Sequence, residues 1–161
     1  MHGNDLELIV RIVVGFALAY AVGFERELRG SPAGDRTFSL IGTGSAAVAA
    51  VAGATSPQAL AGIVTGVGFI GGGLILKGKD DTVRGVTTAA TVFAVACVGL
   101  TVGLGHLVIG AAQTLLLLVT LEMRYLPGLR ILDAGRYSRR FRSEVDGVAE
   151  PPAPDAKASA S

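Results

Sequence analysis

The chain has 161 residues, of which 50% are hydrophobic and only 17% charged, and its mean hydropathy is +0.56. Its charges are gathered into a few short stretches and are absent from long ones, which excludes an ordinary soluble domain and is typical of a chain surrounded by hydrocarbon. The net charge of +1 carries no information about partners, and the single Cys97 excludes a disulfide framework.

Five apolar segments follow one another along the chain, at about 6–24, 38–54, 59–76, 86–102 and 106–123. Each has roughly 17–19 residues and would span about 25–28 Å as a helix. The runs are continuously apolar rather than alternating, which favours helices over barrel strands. We therefore predict an all-α membrane protein in which residues 1–123 form a compact bundle of about five transmembrane helices.

Basic residues fix the predicted orientation. They collect in the loops 25–37 and 77–85 and after the fifth segment, whereas the connections 55–58 and 103–105 are nearly uncharged. By the positive-inside rule, the N-terminus lies outside and the C-terminus in the cytoplasm of a bacterial inner membrane. The acidic N-terminus lacks the basic region of a signal peptide, so we expect the first segment to remain in a multi-pass protein.

The segment 124–142 combines basic and apolar residues, and its arginines are Arg124, Arg130, Arg136, Arg139, Arg140 and Arg142. This pattern predicts an interfacial segment on anionic lipid. Nucleic acid is the disfavoured alternative, because the segment is tethered beside the bilayer. Residues 143–161 are rich in Pro, Ala and Ser, which predicts a short disordered cytoplasmic tail rather than a second folded domain.

Small residues recur four apart in the apolar segments. The string from Gly66 to Gly71 matches a dinucleotide-binding pattern, but it lies inside an apolar span with no preceding strand, so nucleotide binding is rejected. Bare glycine surfaces let membrane helices approach closely. We predict helix packing, within the bundle or between copies in a homo-oligomer, at Gly62, Gly66, Gly68, Gly72, Gly99 and Gly103.

Three polar residues inside the apolar segments, namely Arg11, His106 and Gln113, are candidates for a role within the membrane. Arg11 lies about one turn into the first helix, where a charge is costly. It either extends to the outer headgroups or faces the interior, where His106 and Gln113 are the candidate partners.

Carboxylates on the cytoplasmic side offer a second kind of site, and Mg²⁺ typically takes one or two of them with retained waters. The candidate ligands are Glu25, Glu27, Asp35, Asp80 and Asp81, although simple pairing with neighbouring arginines is the simpler reading. We expect no resident cofactor. No nucleophile–base set or zinc cluster is recognisable, so an enzyme is not expected. Thr87 and Thr88 open the fourth helix and would cap it or bind an anion.

Three stretches together resemble the MgtC/SapB family of bacterial membrane proteins. They are Arg11 with GFERE (23–27) and PAGDRT (32–37), GVGFIGGG (66–73), and VRGVTTAA (83–90), in the order and spacing of the family. The resemblance covers about residues 6–121. The functional residues that it implies by position are Glu25, Arg26, Arg36, Thr37, Arg84, Thr87 and Thr88.

The resemblance implies an inner-membrane protein linked to growth at low magnesium and to survival inside host cells. It also implies a regulator that binds other membrane proteins, with the ATP synthase as one candidate. Asp35 departs from the family pattern, which usually has an apolar residue there, and many members carry a folded cytoplasmic domain after the fifth helix. The leading hypothesis is a non-enzymatic regulator of magnesium or proton homeostasis or of stress adaptation. The rival is an ion transporter or channel subunit, linked to Mg²⁺ or protons.

Overall fold

The computed structural model describes residues 2–53, 55–77 and 83–123. These residues form α1 (His2–Leu28), α2 (Asp35–Ala52), α3 (Pro57–Gly73), α4 (Val86–Gly103) and α5 (Leu107–Glu122). Two short strands, β1 (Leu76–Lys77) and β2 (Val83–Arg84), pair antiparallel between α3 and α4. One helix lies in each apolar segment, so the all-α prediction is confirmed for the described residues. The predictions for residues 124–161 and for Asp80 and Asp81 lie outside them.

The first helix extends past its apolar segment to Leu28 and ends on a glycine. Gly30 adopts φ 67°, a left-handed conformation that favours glycine. The amide of Gly30 donates to the carbonyl of Glu27, and the amide of Ser31 donates to the carbonyl of Arg26. This pair of bonds is a Schellman motif, which satisfies carbonyls that the helix end leaves unpaired. The chain thereby turns directly back into α2.

The centre of the bundle is α2, which packs against α1 on one side and α4 on the other. Small residues bring the backbones together. A Cβ added to Gly15 of α1 would lie 2.7 Å from Cβ of Ala46, and one added to Gly99 of α4 would lie 2.5 Å from the carbonyl oxygen of Gly42. Close approach through glycine and alanine is the usual packing of helices in lipid.

Side-chain size is distributed with small residues inside and bulky ones outside. The buried core is mostly alanine and valine. Large apolar side chains lie on the surface instead, among them Leu40 (74% exposed), Phe69 (86%) and Val108 (83%). A water-soluble monomer rarely exposes so much contiguous apolar surface, whereas lipid solvates it. Two helical stretches, Asp5–Leu28 and Val86–Gly103, are long and apolar enough to cross a membrane. The protein is therefore a membrane protein.

The remaining two helices are less deeply packed. Only Val67 and Gly71 of α3 are buried, and Gly110 and Thr114 are the buried residues of α5. The chain divides into two units, Met1–Thr120 and Leu121–Ser161. Of the second unit, the structure describes residues 121–123, which complete α5 and the turn that follows it.

Candidate functional site

A polar cluster formed by Glu25, Arg26, Arg29, Ser31 and Thr88 lies where α1 ends and α4 begins. Glu25 is buried, with 8% of its surface exposed. Both of its carboxylate oxygens accept hydrogen bonds from the guanidinium of Arg26, and Nε of Arg29 lies 3.6 Å from Oε1. Removing a carboxylate from water is costly unless a partner compensates the charge. The paired arginine makes that burial tolerable here.

Ser31 and Thr88 join the cluster to α4. Their hydroxyl oxygens lie 3.1 Å apart, and Thr88 is buried. The expected capping role of Thr87 and Thr88 is wrong for the described residues, because Gly85 is the N-cap of α4 and no side chain caps it by a hydrogen bond. Thr88 instead ties the loop after α1 to the first turn of α4, while the side chain of Thr87 is exposed.

Beside this cluster, a polar cavity of about 470 Å³ lies at the start of α2. Its lining residues are Glu27, Gly34, Asp35, Arg36 and Thr37. The backbone amide of Arg36 donates to Oδ1 of Asp35 at 2.6 Å. Of the three predicted metal ligands in the described part of the chain, Glu27 and Asp35 share this cavity, whereas Glu25 lies in the polar cluster. Two carboxylates and retained water are within what Mg²⁺ accepts, although the described residues contain no group of three or more metal-ligating side chains.

Gly85 is a conformationally required glycine that sequence reasoning did not single out. It adopts φ 87°, and a Cβ there would overlap the carbonyl oxygen of Leu74 at the end of α3. The sequence signal that could have identified Gly85 is its position as a glycine next to the start of a predicted helix. Glycine at position 85 thus allows the start of α4 to lie against the end of α3. The neighbouring Arg84 is exposed.

At the opposite end of α1, Arg11 has partners other than His106 and Gln113. Its guanidinium pairs with the carboxylate of Glu7 one turn earlier and donates to the carbonyl oxygen of Gly103 at 3.2 Å. Cations are favourable at helix C-termini, where the dipole is negative and carbonyls are unpaired. Gly105, with φ 98°, lies under this guanidinium, because a Cβ there would be 3.1 Å from Cζ of Arg11.

The two other predicted polar residues, His106 and Gln113, are not the partners of Arg11, and their surroundings differ from each other. His106 is exposed, and its amide donates to the carbonyl oxygen of Thr101. Gln113 lines a cavity between α4 and α5, and its Oε1 is buried with no hydrogen-bond partner in the described part of the chain.

The six predicted packing glycines fall into two groups. Gly99 and Gly103 lie in the tight contact between α4 and α2, where an added Cβ would meet backbone atoms of Gly42 and Ala46. Gly62, Gly66, Gly68 and Gly72 lie on α3, and an added Cβ on any of them would meet no described atom within 4 Å. Within one chain, the two glycines of α4 therefore pack against α2, whereas these four glycines of α3 have open space beside them.

Comparison with known proteins identifies the family to which this apolar helical bundle belongs. The family model of the MgtC family matches residues 12–126. The chain is therefore a member of the MgtC family, as the sequence motifs predicted.

Three curated relatives illustrate the similarity. The chain is 34% identical over 140 residues to the "Putative magnesium transporter YhiD" of Escherichia coli K12, covering 79% of this chain and 65% of the relative. It is 35% identical to "Protein SrpB" of Synechococcus elongatus, covering 75% and 76%. It is 36% identical to "Protein MgtC" of Salmonella typhimurium LT2, covering 68% and 49%. The chain thus spans about half of MgtC and just under two thirds of YhiD. No solved structure matches it.

Proposed function

We propose that the chain is a non-enzymatic regulator of the inner membrane that affects magnesium or proton homeostasis, or stress adaptation, through other membrane proteins. The proposed placement has five membrane-spanning helices, with the N-terminus outside and the C-terminus in the cytoplasm. This orientation puts the polar cluster and the cavity of Glu27 and Asp35 at the cytoplasmic surface. Partners would be other membrane proteins, with the ATP synthase as one candidate, and anionic lipid at residues 124–142.

The observation that carries the proposal is the apolar interior of the described bundle. Its largest fully buried side chains are Phe38 and five valines. The buried hydroxyls of Ser39, Thr91 and Thr114 donate to backbone carbonyls of their own helices, at 2.6–2.9 Å. Ion pathways normally carry acidic residues at membrane depth. The described acidic residues lie instead near helix ends, namely Asp5, Glu7, Glu25, Glu27, Asp35 and Glu122.

A transporter or channel subunit is the second candidate. It is favoured by the cavity that Glu27 and Asp35 share, and by the printed name of the YhiD relative. An oligomer could also enclose a path that one chain lacks. The two candidates differ in one measurable respect, which is whether the protein alone moves ions.

Flux measurements in liposomes separate these candidates. We expect the purified full chain to give no Mg²⁺ or proton flux above that of empty vesicles. Affinity purification from native membranes should instead recover a membrane protein bound to it. Flux that Glu25→Ala abolishes, and that Asp5→Ala at the exposed opposite end of α1 leaves intact, would replace the regulator with the transporter. Circular dichroism of both variants checks that they remain helical.

The membrane placement has its own test. A C-terminal tag should resist protease added to the periplasm of intact cells and should be cleaved in inverted membrane vesicles. Cleavage in intact cells would reverse the orientation, and with it the cytoplasmic position of the polar cluster.

A further inference from the structure

A cavity of about 360 Å³ lies between α4 and α5, away from the polar cluster. Its walls are Phe93, Ala94 and Cys97 of α4 and Gln113, Leu116, Leu117 and Thr120 of α5. Small-molecule sites in proteins typically occupy about 300–1,000 Å³ and combine mostly apolar walls with a few polar groups. This cavity lies at the small end of that range.

One polar atom of the cavity walls is buried without a hydrogen-bond partner in the described part of the chain. The hydroxyl of Thr120 donates to the carbonyl oxygen of Leu116 at 2.7 Å, so it is satisfied within α5. Oε1 of Gln113 is buried and accepts no hydrogen bond in the described part of the chain. A buried unpaired acceptor is unfavourable, and it is relieved by a donor rather than by more hydrocarbon. The cavity therefore favours a ligand that carries an O–H or N–H group.

The position of the cavity restricts which donors can reach it. Phe93, Ala94 and Cys97 lie in the middle of α4, which is long and apolar enough to cross a membrane. In the proposed placement, the cavity faces the hydrocarbon centre, where phospholipid headgroups do not reach and water is scarce. A ligand must therefore be soluble in hydrocarbon and carry its donor on an apolar body.

The walls favour a flat ring as that body. Phe93 lines the cavity and is 45% exposed, and aromatic rings stack favourably on one another. Leu116, at the other wall, is also exposed, so an alkyl tail can leave the cavity into lipid. A hydroxyl on the ring would then reach Gln113.

We propose that the α4–α5 cavity binds a lipid-soluble hydroxyaromatic molecule, of the quinol or alkylphenol class, whose hydroxyl donates to Oε1 of Gln113. The proposal rests on the membrane placement given above and is independent of whether the protein is a regulator or a transporter. It assigns Gln113 a ligand-binding role and gives the otherwise unfavourable intramembrane amide a function.

Cys97 provides a direct test, because it is the single cysteine of the chain and lines the cavity. The full chain in nanodiscs is labelled with N-ethylmaleimide in the presence of para-hexylphenol or of para-hexylanisole, its methyl ether without a donor. We expect both to slow labelling, with the phenol effective at a concentration about two- to tenfold lower, the factor that one net hydrogen bond supplies. Both ligands are compared on the natural protein, so the result does not depend on a variant folding.

Two variants then locate the hydrogen bond. Gln113→Leu should abolish the difference between the phenol and the ether. Thr114→Val should preserve it, because Thr114 is the neighbouring buried polar residue but donates to the carbonyl oxygen of Gly110 and is not part of the cavity wall.

Three results would overturn the proposal. Equal protection by phenol and ether would show that the cavity does not recognise a donor, and no protection by either would show that it binds neither. A difference that persists in Gln113→Leu would place the hydrogen bond elsewhere. A separate measurement tests the placement on which the proposal rests: rapid labelling of Cys97 by a charged, membrane-impermeant maleimide would show that the cavity faces water.

Discussion

The contact between Arg11 and Gly105 shows how a glycine lowers the cost of a charged side chain in an apolar helix. The guanidinium needs a flat surface beside the last carbonyls of α4, and a side chain at position 105 would occupy that space. Glycine also permits the positive φ that reverses the chain between α4 and α5. The same residue thus provides the turn and the room for the charge.

We predict that Gly105→Ala destabilises the protein by at least about 1–2 kcal/mol, since left-handed backbone disfavours a Cβ and the guanidinium of Arg11 must move. Thermal unfolding in detergent measures the loss. Gly44→Ala is the matched control, because an added Cβ on α2 at Gly44 meets no described atom within 4 Å. Equal midpoints for the two variants would contradict the packing seen around Gly105.

A second residue-level prediction concerns the hydroxyl pair of the polar cluster. Ser31→Ala and Thr88→Val should be non-additive, with a coupling free energy of about 0.5–1.5 kcal/mol, because each removes the same hydrogen bond. Denaturant unfolding in mixed micelles provides the four stabilities of the cycle. A parallel cycle of Ser31→Ala with Thr91→Val should show coupling near zero, since the hydroxyl of Thr91 donates within α4. Coupling of equal size in both cycles would rule out a specific Ser31–Thr88 bond.

Sequence reasoning located these sites better than it described their contacts. Periodicity and composition do not reveal which partner a long side chain reaches, so Arg11 was expected either at the outer headgroups or beside His106 or Gln113, and not at the end of α4. Ser31 was missed because a serine in a polar loop has no distinctive signal. The importance of Gly85 and Gly105 depends on backbone angles, which the sequence specifies only through the neighbouring helix ends.

Among the elements, α2 is held most tightly because it lies between two helices through small residues. Gly42 faces Ala19 of α1, and its carbonyl oxygen faces Gly99 of α4. A change on either outer helix therefore acts on the same central helix. Without a hydrophobic force between helices in lipid, such close van der Waals contact is a principal source of association.

We predict that Gly99→Ala destabilises the bundle by about 1–3 kcal/mol, because the added methyl group must push α4 away from backbone atoms of α2. Gly66→Ala on α3 is the control, and it should be neutral or stabilising by up to about 1 kcal/mol, since alanine favours helix and the space is open. Thermal unfolding of both variants in the same detergent tests the opposite signs. A stable Gly99→Ala variant would show that the α2–α4 contact is looser than described.

The helices themselves could be predicted from the sequence because their apolar runs are long and separated by glycine, proline and charge. The residues at which the helices end were harder to predict. The first helix continues to Leu28 through charged residues, since helix formation does not stop where hydrophobicity does and the Schellman motif at Gly30 supplies the actual stop. The ion pair of Glu25 lies in this polar extension, which explains why an apolar-segment boundary at residue 24 placed Glu25 in a loop.

In the whole molecule, some small residues are used for packing within one chain and others remain open for packing between chains. The α1–α2–α4 contacts use their glycines internally, whereas four glycines of α3 face outward, namely Gly62, Gly66, Gly68 and Gly72. Sequence reasoning predicted close packing for both groups equally, because spacing alone does not distinguish a surface used within one chain from one used between chains. Of the two alternatives that the glycine spacing left open, we propose for the α3 surface the second, which is contact between copies in a homo-oligomer.

We predict that crosslinking in native membranes gives oligomers, and that Gly66→Leu and Gly72→Leu weaken them. The bulky side chain would hold a second helix away from α3 without disturbing contacts inside the chain, since both positions are open. Gly44→Leu, at an open position on α2, is the control and should crosslink like the natural protein. Each variant must show the same thermal midpoint, so that a loss of oligomer reflects the interface rather than misfolding. If the α3 variants fold normally and crosslink as strongly as the control, then α3 does not mediate self-association and its glycines serve contacts with lipid or a different protein.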